Sequence, residues 1–347
     1  MLVAVLLLGI SACNRKGHHV LEVNYVSAVQ ATLRDQLSTM YTRVGTVKNG
    51  DRVEVLEHEK RFSRVRTATG TEGWIEQRYL VDQAIYDGIQ KLTEENLKDP
   101  VQSPGVLRND TNLHLTPGRE TEHLYQLSAG AKVSVLKRGT AEKPGASMAP
   151  TKAAAKTAGK PAGPALEDWW LVRDPQNRVG WVLARMVDLD VPLDVAQYAE
   201  GQRFVAFFVL NQVEDAGKEG SDSDKDKKVS QYLCAITEPH DGLPYDYDQI
   251  RVFTWNVRKH RYETAYREHG LHGVLPVTVT TENFDKEGTL PVFILRVKDD
   301  AGNVSERKYK LNNPIVRRVL APGEEKTAAK PASSKSANRP ARKKRRH

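Results

Sequence analysis

Gly50-Asp-Arg-Val-Glu-Val-Leu-Glu-His-Glu-Lys-Arg-Phe-Ser-Arg-Val-Arg-Thr-Ala-Thr-Gly-Thr-Glu-Gly-Trp-Ile-Glu-Gln-Arg-Tyr-Leu80 is the stretch that decides the fold. Val53 and Val55 alternate with polar neighbours, the period of a half-buried strand. Phe62 and Val65 start a second strand, Thr67-Ala-Thr-Gly70 is a turn, and Gly73-Trp74-Ile75 opens a third strand. Three short strands with turns between them make a small antiparallel sheet.

The stretch occurs twice. An offset of 80 residues places Leu33 on Leu113, Gly50 on Gly130, Val53 on Val133, Val55 on Val135 and Leu56 on Leu136. An offset of 107 places Phe62 on Trp169, Val65 on Val172, Gly73 on Gly180, Trp74 on Trp181 and Arg78 on Arg185. The second copy therefore carries a 27-residue insertion. It falls within 140–167 and is rich in Ala, Lys, Pro and Gly, so it has no core to bury and reads as disordered. A repeated turn-and-strand order predicts two tandem β units.

The repeated unit resembles the bacterial SH3-like (SH3b) family. The residues that carry the likeness are Gly50-Asp-Arg-Val-Glu-Val-Leu, Phe62-Ser-Arg-Val-Arg, Gly73-Trp-Ile and Tyr79-Leu80. In the second copy they are Gly130-Ala-Lys-Val-Ser-Val-Leu, Trp169-Trp-Leu-Val-Arg and Gly180-Trp-Val, with Met186 where Tyr79 would stand. The resemblance implies small β-barrels at 24–82 and 104–190 that act as binding modules. Trp74 and Trp181 then read as core closers. Adjacent Trp169 and Trp170 must face opposite ways in a strand. Alignment with Phe62 makes Trp169 the core residue and Trp170 an exposed one. Tyr41, Tyr79, Tyr125 and Trp170 are the candidate ligand-binding residues.

Leu2–Ile10 is an apolar run the length of a signal-peptide core, too short for a bilayer span of about 20 residues. It ends in Ile10-Ser11-Ala12-Cys13, which resembles the lipobox of bacterial lipoproteins. That resemblance implies a signal peptide over 1–12, acylation of Cys13 and a linker over 13–23. The mature protein would then be a membrane-anchored lipoprotein of the cell envelope, facing the periplasm. Asn14 favours the outer membrane, and the missing basic n-region places the true start upstream. Pro322–His347 lies in a basic tail, 321–347, whose nine Lys and Arg against Glu324 and Glu325 supply +7 of the chain's +8. The remainder is nearly neutral. A disordered tail of this kind either lies on anionic surfaces or is simply solvated, and it lacks the interleaved aromatics of a nucleic-acid site, so no nucleic acid is expected.

Ile85, Ile89 and Leu92 fall on one helical face, predicting a linker helix over 83–100 that Pro100 stops. From 191 to 320 six or seven short strands with turn spacing predict an antiparallel β-sandwich or open barrel. Within it Cys234 sits inside an apolar strand, and an inert buried thiol is the reading. Glu238, Asp241, Asp246 and Asp248 match no Ca²⁺ loop, and His260, His269 and His272 show no zinc spacing. No metal, cofactor or catalytic residue is assigned. The chain reads as a mostly β, non-enzymatic envelope protein that binds peptidoglycan or envelope proteins. The alternative is an envelope hydrolase, or its accessory subunit, with a site in the C-terminal β region.

Overall fold

The computed structural model describes residues 19–145, 164–215 and 227–320. Cys13, the middle of the insertion, part of the Asp/Lys-rich loop and the basic tail lie outside them. Among the described residues no helix is long and apolar enough to cross a membrane.

The first sheet contains β1 (Glu22–Val26), β2 (Gln30–Arg34), β3 (Arg43–Lys48), β4 (Arg52–Glu59), β5 (Phe62–Thr67), β6 (Glu72–Glu76) and β7 (Leu80–Asp82), in the order β3-β2-β6-β5-β4-β1-β7. It curls around Val26, Leu33, Val47, Val53, Val55, Val65 and Ile75. Strand alternation fixes the rest. Gly73 faces inward with Ile75, and a Cβ on it would lie 2.8 Å from Leu33 Cβ. Trp74 therefore points outward and is half-buried. Ile75, not Trp74, closes this core.

The second sheet contains β8 (Ser103–Leu107), β9 (Thr111–His114), β10 (His123–Leu127), β11 (Lys132–Glu142), β12 (Leu166–Arg173), β13 (Val179–Leu183) and β14 (Val187–Leu189). Its order, β10-β9-β13-β12-β11-β8-β14, repeats the first one strand for strand. The ends of the expected loop are strand: β11 runs to Glu142 and β12 begins at Leu166. Trp181, like Trp74, faces out, and Val182 is the buried neighbour. The Trp169/Trp170 assignment is reversed. Val65 and Val172 face the cores, so Ser63 and Trp170, two positions earlier, face inward as well. Phe62 and Trp169 lie on the outer faces. Trp170 is 3% exposed and belongs to the core cluster. It is not an exposed contact residue.

α1 (Gln83–Asn96) begins at Asp82, whose carboxylate accepts from the Ile85 N–H at 2.9 Å. It wedges between the sheets. Ile89 packs with Tyr25, Val81 and Leu124, and Leu92 packs on Leu136, Leu171 and Val179. Tyr25 and Tyr86 stack at 3.8 Å. Asn49 ties the units directly: its amide donates to Ser27 O at 2.9 Å and Leu124 O at 2.7 Å. The next residue, Gly50, has φ +83° and lies against Tyr125, so both its backbone and its neighbour require glycine.

After α2 (Leu193–Ala196) come β15 (Arg203–Glu214), β16 (Lys228–Thr237), β17 (Tyr247–Asn256), β18 (Arg261–Asn283), β19 (Thr289–Lys298), β20 (Val304–Asn312) and β21 (Ile315–Val319). They pair in chain order as one curled meander, the open-barrel alternative and not a sandwich. Two expected strands are one: β18 pairs with β17 through its first half and β19 through its second, with a register shift between Val274 and Thr278. One face, with Leu233, Ile250 and Phe293, is continuous with the core of the second sheet. The other face, with Tyr232, Cys234 and Phe253, packs against Val195 of α2.

A buried charge cluster locks this junction. Arg138 donates to Asp168 Oδ1 at 2.8 Å, to Asp246 Oδ1 at 3.0 Å, and to the carbonyls of Leu243 and Tyr245 at 2.9 Å. Arg203 bridges Asp168 and Asp241 at 2.6 and 2.8 Å. Burial pushes the Asp168 carboxyl upward. The Arg138 hydrogen bond, the Gly242 N–H and the charges of Arg138 and Arg203 outweigh that and hold it below the ordinary carboxylate range. A depressed folded-state pKa contributes stability above the unfolded value, and that stability is lost as pH falls through the folded one. Asp168→Asn should therefore destabilise the protein by about 3–5 kcal/mol in denaturant melts at neutral pH. The gap to wild type should shrink below about pH 4. An unchanged melt at neutral pH contradicts the lock.

Candidate functional site

On the outer face of the first sheet, Arg34, Trp74 and Arg64 form one cross-strand row. Arg34 is the hub. Its guanidinium carbon lies 4.3 Å from the Tyr41 ring centroid and 5.1 Å from that of Phe62, and it pairs with Glu76 at 3.5 Å. Glu76 also takes Arg78 at 2.8 Å. Arg78 covers the Tyr79 ring at 4.8 Å and donates to its hydroxyl at 2.8 Å. The charged row continues with Arg64 and Arg66 on Glu72 at 3.0 and 2.9 Å. Two expected site residues, Tyr41 and Tyr79, thus belong to one chain of rings and ion pairs. Tyr41 is 42% exposed and its neighbour Met40 84%. Tyr79 is half-buried beside the core.

This surface offers flat π faces, guanidinium donors and a carboxylate at one end of one unit. Such a mixture can stack on apolar ring faces or peptide planes and hydrogen-bond polar groups around them. Sequence reasoning missed Arg34 and Trp74. Arg34 showed no motif, and Trp74 was assigned to the core. The alternation Gly73-Trp74-Ile75 held the signal, because a glycine facing the core requires the next residue to face out.

The equivalent face of the second sheet is more apolar and partly covered. His114 stands for Arg34, Thr121 for Tyr41, Trp169 for Phe62 and Trp181 for Trp74. Trp181 is half-buried, as Trp74 is, and its ring lies close on Gly139, where a Cβ would lie 2.7 Å from it and 3.1 Å from Pro117. His114 meets Trp169 edge-on at 5.3 Å. Burial holds the His114 imidazole below its ordinary pKa, and His123 adds to the effect. Leu171 and Val179 replace Arg64 and Glu72, and α1 packs on them through Leu92. Tyr125 serves this joint as well. It packs among Tyr25, Ile89 and Leu124, under the Arg178 guanidinium at 4.9 Å. It is not a free surface ring.

In the C-terminal sheet Cys234 is buried, and burial drives its thiol far above the ordinary range, which removes it as a nucleophile. Asp241 and Asp246 serve the junction through Arg203 and Arg138. Among the described residues no group of three His, Cys, Asp or Glu is placed to hold a metal.

Residues 29–81 match the family model of the bacterial SH3 domain. No curated protein matches the chain. Solved structures similar to it include NlpC2 from Trichomonas vaginalis, at 12% identity over 86% of this chain and 95% of that one, with a TM-score of 0.17. NlpC1 from the same organism has 10% identity over 82% and 87%, with a TM-score of 0.16. An NlpC/P60 family protein from Bacillus cereus has 10% identity over 84% and 95%, with a TM-score of 0.22. At these TM-scores no activity passes from those proteins to this one.

Proposed function

We propose that this is a non-enzymatic binding protein of the bacterial cell envelope, whose first unit grips cell-wall peptidoglycan or an envelope protein. The observation that carries the reading is the contrast between two equivalent faces. In the second unit Leu171 and Val179 make part of that face apolar, and Leu92 of α1 packs on it. In the bacterial SH3 unit no helix among the described residues packs on the equivalent positions, Arg64 and Glu72 are charged, Tyr41 is exposed, and Arg34, Trp74 and Tyr79 are half-exposed. A ring-and-guanidinium surface left uncovered is suited to a ligand with both flat apolar faces and polar edges. By strand order the second sheet is a further SH3-like unit, which acts as the rigid mount between the first unit and the C-terminal sheet.

Acylation of Cys13 would hold this assembly at a membrane facing the periplasm, each buried CH₂ contributing about 0.8 kcal/mol. The basic tail would lie on an anionic surface nearby.

Two experiments test the reading. The mature chain should be retained by insoluble peptidoglycan, and Tyr41→Ala should weaken retention about tenfold, while Thr121→Ala at the equivalent second position leaves it unchanged. Equal retention of both variants and wild type, or none by the wild type, rejects the outer-face site. Palmitate labelling of growing cells should disappear with Cys13→Ala, and labelling that persists contradicts the anchor.

A further inference from the structure

The two units are joined through a strand edge. β3 and β10 are the edge strands of their sheets, and they correspond in register: Thr46 opposes Thr32 as Gln126 opposes Asn112. On β10 the edge is occupied. Asn49 of the first unit lays its primary amide against it, donating to Leu124 O at 2.7 Å and accepting from the Gln126 N–H at 3.3 Å. The amide pairs with the strand as a peptide group would. Beside it the Tyr125 ring lies under the Arg178 guanidinium, 4.9 Å from its carbon. Gly50, the residue after Asn49, must be bare there, since a Cβ would lie 3.2 Å from that ring.

Among the described residues β3 pairs with β2 alone. Val44 O and Thr46 N correspond to Leu124 O and Gln126 N, and alternation turns them away from β2. Lys48, two residues on, follows the same alternation: its N–H donates to Asp51 Oδ2 at 2.7 Å. The ring and its guanidinium are missing too, because Gly45 stands for Tyr125 and Thr71 for Arg178. A Cβ on Gly45 would lie 3.2 Å from Thr71 Cγ2 and 3.5 Å from Leu33 Cδ1. In place of the ring there is a cavity of about 270 Å³ between Gly45, Thr46 and the 67–71 turn. Of the residues that line it only Leu33 and Val47 are buried, so the space is reached from solvent.

We infer that the β3 edge docks a peptide segment of another protein, which lays an amide on Val44 O and Thr46 N and puts an aromatic side chain into the cavity over Gly45. The arrangement is that of the joint between the units, with the ring moved from the strand to its partner. An extended chain brings both parts, a peptide group at the edge and a side chain to one side of it. A ring suits the space, since a tyrosine holds the corresponding place in the second unit. The occupant is not this chain. The segments outside the described residues contain no Phe, Tyr or Trp. In a second copy Ala129 stands for Asn49 at the corresponding turn of the second unit, and Asn49 itself is engaged. The site is separate from the outer face, since Tyr41, Arg34 and Trp74 do not line the cavity.

The test is an amide-resolved NMR titration of the full chain with acetyl-Gly-Phe-Gly-amide, against acetyl-Gly-Gly-Gly-amide and N-acetylglucosamine. The phenylalanine peptide should shift Thr46 and residues 67–71 saturably, and the glycine peptide should bind about tenfold more weakly or less. Thr46→Pro removes the outward N–H from an edge strand, where proline is tolerated, and should weaken the phenylalanine peptide about tenfold. Gly45→Tyr with Thr71→Arg, which copies the second unit, should abolish binding. If that pair does not fold, Thr46→Pro and the comparison of the two peptides decide. No saturable shift at these residues, equal binding of the glycine peptide or of N-acetylglucosamine, or indifference to Thr46→Pro each overturns the inference. Self-association that the Gly45→Tyr, Thr71→Arg pair removes would also overturn it, because the edge would then belong to a second copy. None of these results bears on peptidoglycan retention through Tyr41.

Discussion

The arrangement of the molecule depends on one guanidinium. Arg138 of the second sheet pairs with Asp168 on the adjacent strand and reaches across to the Asp246 carboxylate and two backbone carbonyls of the C-terminal region. Asp168, fully buried, needs that charge, and Arg203 adds a second. A pair so desolvated adds less to net stability than its Coulomb energy implies, but removing either partner leaves an uncompensated charge. Its main consequence is geometric. It fixes one orientation of the curled meander on the second unit, and Gln102 reinforces it by accepting from Val277 N at 2.7 Å.

From that constraint the division of labour between the two units follows. They share a strand order and differ at a few decisive positions. Leu171 and Val179, against Arg64 and Glu72, decide which outer face α1 covers. Trp170 against Ser63, and Arg138 against His58, decide which end docks a neighbour. Thr121 against Tyr41 removes the exposed ring. Each exchange moves a position from polar in the first unit toward apolar or docked in the second. The open surfaces sit on a rigid base, because Asn49 and the Tyr25–Tyr86 stack tie the first unit to the helix and the second sheet.

Much of the fold was legible in the residues. The two offsets carry the strand order, because Gly50/Gly130 and the Val-x-Val pairs sit at turns and core positions that tolerate little else. The linker helix followed from Ile85, Ile89 and Leu92. The facing of the tryptophans does not follow from Phe62, because that ring, apolar as it is, lies outward beneath Arg34. Anchoring the alternation on Val65 and Val172 gives Trp170 inward and Trp169 outward. Tyr125 was misplaced for a different reason: nothing in a local pattern reveals that two units and a helix meet over one ring. The role of Arg138 was invisible too, since its partners Asp168, Leu243, Tyr245 and Asp246 lie far along the chain. At the candidate site, Tyr41 and Tyr79 were legible as surface aromatics, but the arginines that link them were not.

The proposed function divides two sheets of one strand order between a mount, fastened to the C-terminal sheet, and a unit that meets the ligand. Hydrogen exchange of the intact protein, with and without a soluble peptidoglycan digest, tests it most directly. Added protection should concentrate in residues 34–41 and 58–80, with the equivalent 114–121 and 169–187 unchanged. Protection that falls on the second unit or on the C-terminal sheet, and spares the first, would contradict it.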